Sequence, residues 1–167
     1  PANPREAGVI SQSGQYHTMR VKGGYVYLVS DFYTYYDSSV SNESDYIPQI
    51  QGSLLRAEDI YMPQGTTGSQ HTVISAFALS DPTEQLHTKA IFGNAGMCYV
   101  SENNIYITEE YYGKSETENI QTSIRKIAYD KGTLDAVGQT KIDGVLNDSF
   151  SIDEYNGYLR IAATVIP

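Results

Sequence analysis

Four tyrosines in one stretch of the chain are the residues best suited to ligand recognition. Tyr33, Tyr35, Tyr36 and Tyr46 lie in the connection that spans residues 32–71. Tyrosine offers a large contact area at low entropic cost and is enriched in binding hot spots, and its ring can also stack on sugars. We therefore predict a recognition surface for a protein or glycan ligand at these residues. The alternative is that the rings cover the flank of their own sheet.

Residue types that support catalysis are present but form no recognisable motif. The three histidines, His17, His71 and His87, share no common spacing, and each is expected to be an ordinary residue on a strand surface. No phosphate-binding glycine motif, Gly-x-Ser-x-Gly sequence or His-Glu-x-x-His sequence occurs. The sequence therefore nominates no catalytic residue and no cofactor.

Acidic residues in the same connection invite a metal interpretation, because Ca²⁺ prefers oxygen ligands. Asp37, Glu43 and Asp45 supply carboxylates there. Their spacing matches neither an EF-hand nor a nonapeptide calcium loop. We expect a solvated acidic loop and predict no metal site.

The dipeptide Asn156-Gly157 predicts a tight turn near the end of the chain. This pair strongly favours a type I′ hairpin, because both central residues of that turn need positive φ angles. Asp153 and Glu154 come just before the dipeptide, and we expect both carboxylates to serve the local structure of the turn.

The elements that must position these residues are repeated hairpins. Residues 16–28, 97–107 and 150–161 each read as a short strand, a tight turn and an aromatic-rich strand. A sheet unit that recurs at intervals of roughly 50 residues is typical of a propeller or a related array. Such repetition predicts the architecture but not the activity, because propellers host many unrelated functions.

Two further strand types lie between the hairpins and complete the repeat. The third strand spans residues 72–79 and again 122–129, and the fourth spans residues 85–91 and again 137–142. Four antiparallel strands per unit make a propeller blade. The sequence therefore predicts an all-β fold, a partial β-propeller with about two full blades plus a half blade.

The predicted boundaries treat residues 1–167 as one fragment of a propeller domain. They are a blade at about 16–93 with the long insertion 32–71, a blade at about 97–146 and a half blade at about 149–166. Residues 8–11 are expected to form the outer strand of a preceding blade. Since a closed ring needs about four blades or more, we expect the chain to begin and end inside a repeat.

Composition restricts the partners. The chain has 20 acidic and 11 basic residues and a formal charge of −9, and its basic residues form no cluster. Nucleic acid and an anionic membrane surface would repel such a chain, so we predict no nucleic-acid partner. No apolar run approaches the roughly 20 residues that span a bilayer, so we also predict no membrane insertion.

The stretch from Asp153 to Ala162, which reads DEYNGYLRIA, carries a family resemblance. It resembles the secreted bacterial proteins with a C-terminal β-propeller domain distantly related to WD-40 repeats. Further matches fall at residues 24–30, 46–48, 59–63 and 100–107, so the resemblance spans nearly the whole chain. It implies an extracellular or cell-envelope location, but it brings no established activity and no catalytic motif.

These observations favour a non-catalytic binding or scaffold module of an exported bacterial protein. The alternative is an enzyme, hydrolase-like or lyase-like, with its site at the centre of the complete propeller and Asp153, Glu102 and Arg20 as polar candidates. A third reading is a purely structural role within the ring. We also predict self-association through the half blade or the N-terminal strand, because unpaired strand edges recruit partners.

Overall fold

Residues with high β propensity dominate the chain, and every long element in its described part is a β-strand. The computed structural model describes residues 3–34, 42–64, 66, 68–94, 96–112 and 120–165. The other regular elements in these ranges are 3₁₀ turns at Glu43–Asp45, Ala57–Asp59 and Ser149–Ser151. The predicted all-β class is confirmed.

The chain divides into two compact units. Unit 1 comprises Pro1–Gly93 and Asp130–Leu134, and unit 2 comprises Asn94–Tyr129 and Asp135–Pro167. The strands described in unit 1 are β1 (Gln15–Lys22), β2 (Tyr25–Tyr33), β3 (Gln49–Ile50), β4 (Ser53–Leu54), β5 (Ile60–Tyr61), β6 (Gln70–Ala78) and β7 (Asp81–Gly93). The later strands are β8 (Cys98–Val100), β9 (Asn104–Tyr111), β10 (Gln121–Asp130), β11 (Thr133–Asp143), β12 (Ile152–Tyr155) and β13 (Tyr158–Ile161).

Sheet 1 has the strand order β1-β2-β6-β7-β5. Its first four strands are antiparallel neighbours, while β5 joins the outer edge of β7 in parallel, with Ile60 beside Ala90. Val73, Phe77 and Ala90 form a buried cluster on one face, together with Ile50 of β3. The core of unit 1 therefore lies between this face and the segment that connects β2 to β6.

Sheet 2 has the order β11-β10-β9-β8, in which β9 pairs antiparallel with both β10 and β8. The hairpin β12–β13 forms a separate two-stranded sheet in the same unit. Tyr106, Ile124, Leu146 and Ile152 form the buried core between them. Asn156 and Gly157 have φ angles of 50° and 79°, which confirms the predicted type I′ turn.

The N-terminal segment differs from the expectation. Residues 8–11 form no strand; instead Gln12 bridges to Ile50, and the backbone of Ser11 and Ser13 bonds that of residues 49 and 51. The short hairpin β3–β4 supplies the partner, and it comes from within the connection that the sequence presented as irregular. Local pattern could not indicate this pairing because each of its strands has only two residues.

Candidate recognition surface

Residues 42–62 of the long connection form a folded layer on sheet 1. We call it the inserted segment. Its apolar side chains Ile50, Leu55 and Ile60 pack against the cluster that contains Val73 and Phe77. Full burial of a side chain such as Ile50, which is 1% exposed, contributes on the order of 1.5–3 kcal/mol, and the partly buried Leu55 and Ile60 add less. The inserted segment is therefore held by a core of its own.

A buried carboxylate fixes the end of the inserted segment. Asp59 Oδ2 accepts a hydrogen bond of 3.0 Å from Arg56 Nε, and Asp59 Oδ1 lies 3.4 Å from Lys89 Nζ on β7. Asp59 is buried, whereas Arg56 is largely exposed. Two cations thus compensate the buried charge, and the pair with Lys89 holds β5 against the edge of sheet 1.

His71 fixes the other end of the inserted segment. Its ring lies between Phe32 and Phe92, with centroid distances of 6.1 and 4.9 Å, and its Nε2 donates to the backbone carbonyl of Tyr46 at 3.2 Å. Burial lowers the pKa of His71 below its ordinary value, and the bond to Tyr46 offsets this only in part. The expectation of a strand-surface histidine is wrong here: His71 is buried and anchors the inserted segment.

Two of the four predicted tyrosines, Tyr33 and Tyr46, lie among the described residues. Tyr33 and Tyr46 are each 46% exposed. Phe32 packs on the His71 side of sheet 1, so alternation along β2 turns Tyr33 to the opposite side, while the Tyr46 backbone lies on the His71 side. Tyr35 and Tyr36 lie outside the described residues. The role of all four tyrosines in binding stays a prediction.

Two exposed side chains that sequence reasoning did not select extend this surface. Tyr61 is 47% exposed and Met62 is 64% exposed. Ile60 points into the core, so alternation places Tyr61 on the outer side of β5. The run Ile60-Tyr61-Met62-Pro63 contains no charged residue and no alternation of polar and apolar residues. The sequence therefore did not indicate which of these side chains faces the solvent.

A polar cluster joins the start of the chain to β2 and β6 of sheet 1. Gln12 Nε2 donates to Ser30 Oγ at 2.7 Å, and the Ser75 hydroxyl donates to Gln12 Oε1. Ser30 Oγ in turn donates to the carbonyl of Ser13 at 2.7 Å. These buried or half-buried groups satisfy one another, so the cluster serves to seat the N-terminal segment.

Unit 2 contains a carboxylate surrounded by donors. Glu154 Oε2 accepts from Ser101 Oγ at 2.6 Å, from Tyr106 Oη at 2.9 Å and from Asn104 Nδ2 at 3.0 Å. Burial opposes ionisation of Glu154, but these bonds and the charge of Lys126 outweigh it and lower its pKa. Glu154 therefore joins the hairpin β12–β13 to sheet 2, a longer-range role than the turn structure expected for it.

A second buried pair lies on β9 and β10. Arg125 Nη2 is 2.8 Å from Glu109 Oε2, with side-chain exposures of 6% and 3%. Tyr111 Oη donates to Glu109 Oε2 at 2.6 Å and accepts from Arg125 at 2.9 Å. The backbone N–H of Asn94 completes the set at 2.9 Å from Glu109 Oε1. This network has the geometry of a buried structural ion pair.

The structure also shows where the polar candidates of the enzyme alternative lie. Asp153 pairs across the strands with Arg160, whose Nε donates to it at 3.0 Å. Glu102 is exposed in the turn between β8 and β9, and Arg20 is exposed on β1.

The acidic residues of the long connection are a separate matter. Glu43 and Asp45 are exposed on a 3₁₀ turn, and Asp37 lies outside the described residues. Within the described ranges, no group of three or more His, Cys, Asp or Glu side chains could hold a metal ion.

No helix in the described ranges is long and apolar enough to cross a membrane. A family model for the beta propeller domain matches residues 1–166. An uncharacterized protein of Archaeoglobus fulgidus is 42% identical over 65 residues, which are 38% of this chain and 10% of that protein. The match thus spans about a tenth of the relative's length. Because the family model covers nearly the whole chain, the chain belongs to the beta propeller domain family, and the predicted partial β-propeller is confirmed.

Proposed function

We propose that this chain is a non-catalytic binding or scaffold module in which the inserted segment contributes to recognition of a protein or glycan ligand. One observation carries the proposal: the inserted segment is held to sheet 1 by buried contacts, while its tyrosine rings stay exposed to solvent. Ile50, Asp59 and His71 hold it to sheet 1, whereas Tyr46 and Tyr61 remain about half exposed. A fixed backbone that presents large exposed rings lowers the entropic cost of binding.

The hydrogen bonds and ion pairs of the buried carboxylates support a binding function over a catalytic one. Glu154 and Glu109 each accept several hydrogen bonds from their own unit, and Asp59 is compensated by two cations. A general base must have a lone pair within reach of a substrate proton. The lone pairs of these carboxylates accept hydrogen bonds from the protein itself, so the contacts support a structural role in which each carboxylate links neighbouring strands or turns.

The proposal includes a location and a mode of assembly. We place the protein outside the cell or in the cell envelope, on the strength of the resemblance carried by residues 153–162. Fractionation of cells that express the full-length protein tests this, and recovery in the cytoplasm alone would count against it.

We further propose that the chain self-associates through β13. Within the described residues, β13 pairs with β12 and has no strand on its other edge. An open edge offers unpaired N–H and C=O groups to a second copy. Sedimentation velocity over a wide concentration range is the test, and a strictly monomeric chain throughout would refute it.

Binding itself is tested with defined ligands. Peptide display and a glycan array, both probed with the 167-residue chain, supply a ligand of known chemistry. Tyr46→Ala and Tyr61→Ala are then each expected to weaken binding roughly thirtyfold, the loss of about 2 kcal/mol typical of a hot spot. Tyr16→Ala is the matched control, because Tyr16 is a large exposed ring on β1. Unchanged affinity in both test variants would overturn the assignment to the inserted segment.

A further inference from the structure

Residues 42–47 of the inserted segment form a tight turn, which we call the Tyr46 turn. Its backbone N–H groups bond within the turn: Asp45 donates to Asn42, and Tyr46 and Ile47 both donate to the carbonyl of Glu43. In the part of the chain that the structure describes, one hydrogen bond ties this turn to sheet 1. It runs from Nε2 of His71 to the carbonyl of Tyr46 and is 3.2 Å long.

The rest of the inserted segment is held independently of this bond. Ile50 is buried in the core cluster of unit 1, and the backbone of residues 49 and 51 bonds that of the N-terminal segment. Asp59 pairs with Lys89, and β5 lies beside β7. Residues 49–62 therefore have attachments of their own, so the Tyr46 turn can separate from sheet 1 without them.

The surroundings of His71 do not accommodate a second ring proton. Its side chain lies between the rings of Phe32 and Phe92, and the residue is only 6% exposed. Nε2 carries the proton of the neutral ring, since it donates to a carbonyl, and the buried Nδ1 has no hydrogen-bond partner among the described residues. Protonation of Nδ1 would place a charge and an unpaired donor in an apolar slot, which is costly.

The described residues offer no carboxylate that compensates this charge. Glu43 and Asp45 are exposed on the Tyr46 turn. Burial is the largest influence on the pKa of His71 and lowers it, and the opposing influence is the carbonyl of Tyr46 rather than a charged group. The titratable side chains of the neighbouring strands alternate with the rings that contact His71 and so lie on the opposite face of sheet 1: Asp31 and Tyr33 on β2, and His87 and Lys89 on β7.

We propose that His71 is an acid-sensitive latch whose protonation releases the Tyr46 turn from sheet 1. The charged ring leaves the slot between Phe32 and Phe92 for solvent, and this movement breaks its bond to the Tyr46 carbonyl. Tyr46 then loses its fixed backbone, whereas Tyr61 stays on β5 beside Ile91. The consequence for ligand recognition rests on the proposed function: a ligand held through Tyr46 is released in acid, below the ordinary histidine pKa of about 6.5.

The test is an NMR titration of the whole chain from pH 7.5 to 4.5 without ligand, with hydrogen-exchange protection factors measured at each pH. Protection of the Tyr46 and Ile47 amides should fall by up to about tenfold per pH unit below 6.5, because the open state takes up the proton first. The amide of Gln51, which bonds Ser11, should keep its protection. No ligand is needed, so the outcome is independent of whether the inserted segment binds one.

Variants assign the effect to the ring of His71. His71→Gln keeps an N–H donor for the Tyr46 carbonyl but does not titrate, so the pH dependence of the turn should disappear. His71→Phe lacks the donor as well, so its turn should be loose at every pH. His17→Gln is the matched control, because His17 bonds Asp31 on the opposite face of sheet 1, and in this variant the loss of protection should persist.

Constant protection of the Tyr46 turn down to pH 4.5 would overturn the latch. So would an equal loss in His71→Gln, since it would assign the effect to other groups such as Glu43 and Asp45. Loss of protection in β6 with the same midpoint would also overturn it, because unit 1 would then unfold as a whole. If acid frees the turn in the parent chain but Tyr46→Ala leaves ligand affinity unchanged, the latch stands and the recognition role of Tyr46 fails.

Discussion

The hydroxyl oxygen of Ser101 lies 2.6 Å from Oε2 of Glu154, and this bond joins the hairpin β12–β13 to sheet 2. Tyr106 and Asn104 add further hydrogen bonds to the same carboxylate. The donors come from the turn before β9 and from β9 itself, so one side chain supplies several of the polar contacts between the hairpin and sheet 2. Such a concentrated attachment makes the hairpin sensitive to a single substitution.

Glu154→Ala is expected to loosen β12 and β13 before the rest of unit 2. Removal of the carboxylate leaves buried donors of Asn104 and Tyr106 without their acceptor, which costs roughly 1.5–3 kcal/mol. Hydrogen exchange of the amides in both strands should accelerate accordingly. Tyr155→Phe is the control on the same hairpin, because Tyr155 faces the other side and is 59% exposed. Equal exchange rates in Glu154→Ala and the parent chain would contradict the attachment.

The buried pair Glu109–Arg125 gives a prediction about net stability. Glu109→Gln and Arg125→Met each leave one charge buried without its counter-charge, and each is expected to cost about 3–5 kcal/mol. The double variant Glu109→Gln with Arg125→Met should recover a large part of this loss, because no lone charge remains. Urea unfolding of the four proteins forms the cycle. Additive losses in the double variant would mean that the two charges do not interact.

The hairpins and their turns were predictable because they are local. Asn156-Gly157 takes the positive φ angles that its type requires, and alternation within ten residues fixes which side chains share a face. The attachment by Glu154 was not predictable, because Ser101 and Tyr106 lie 53 and 48 residues earlier in the chain. The position of Glu154 in the sequence shows that it precedes a turn, but it does not show which distant residues donate hydrogen bonds to its carboxylate.

The tyrosines show a second limit of sequence reasoning. Tyr33 and Tyr46 are both exposed aromatic residues of one connection, which made a single surface the natural prediction. The inserted segment folds back so that the carbonyl of Tyr46 meets His71, on the side of sheet 1 away from Tyr33. That fold-back depends on Ile50 and Ile60, which are packed by tertiary contacts rather than by local pattern.

His71 predicts a pH dependence of stability. Its pKa is lowered in the folded state, so the folded state favours the neutral ring, and stability is fully present above the unfolded pKa of about 6.5. As pH falls below that value the unfolded chain takes up the proton first, so stability declines by at most about 1.4 kcal/mol per pH unit. His71→Phe should remove this slope between pH 6.5 and 5 and keep the ring packing with Phe32 and Phe92. Parallel slopes in both proteins by urea unfolding would show that His71 does not contribute.

His17 predicts the opposite pH dependence. A bulge between Tyr16 and Thr18 brings His17 Nδ1 to 2.6 Å from Asp31 Oδ2. That hydrogen bond raises the pKa of His17, burial opposes the rise, and the charge of Asp31 adds to it. The stabilising effect is therefore fully present below the unfolded pKa of about 6.5 and is lost as pH rises through the folded pKa.

Asp31→Asn tests this pair directly. An amide removes the charge and the strong acceptor, so the pKa of His17 should fall toward its ordinary value of 6.5, as measured by NMR titration of the ring protons. Relative to the parent chain, the stability of Asp31→Asn should fall more at pH 5.5 than at pH 8, whereas the stability of His71→Phe should change in the opposite sense between the two pH values. Thr72→Val is the control, because its hydroxyl reaches the other oxygen of Asp31 only at 3.4 Å. If the pKa of His17 is the same in the parent chain and in Asp31→Asn, the hydrogen bond between them does not govern its protonation.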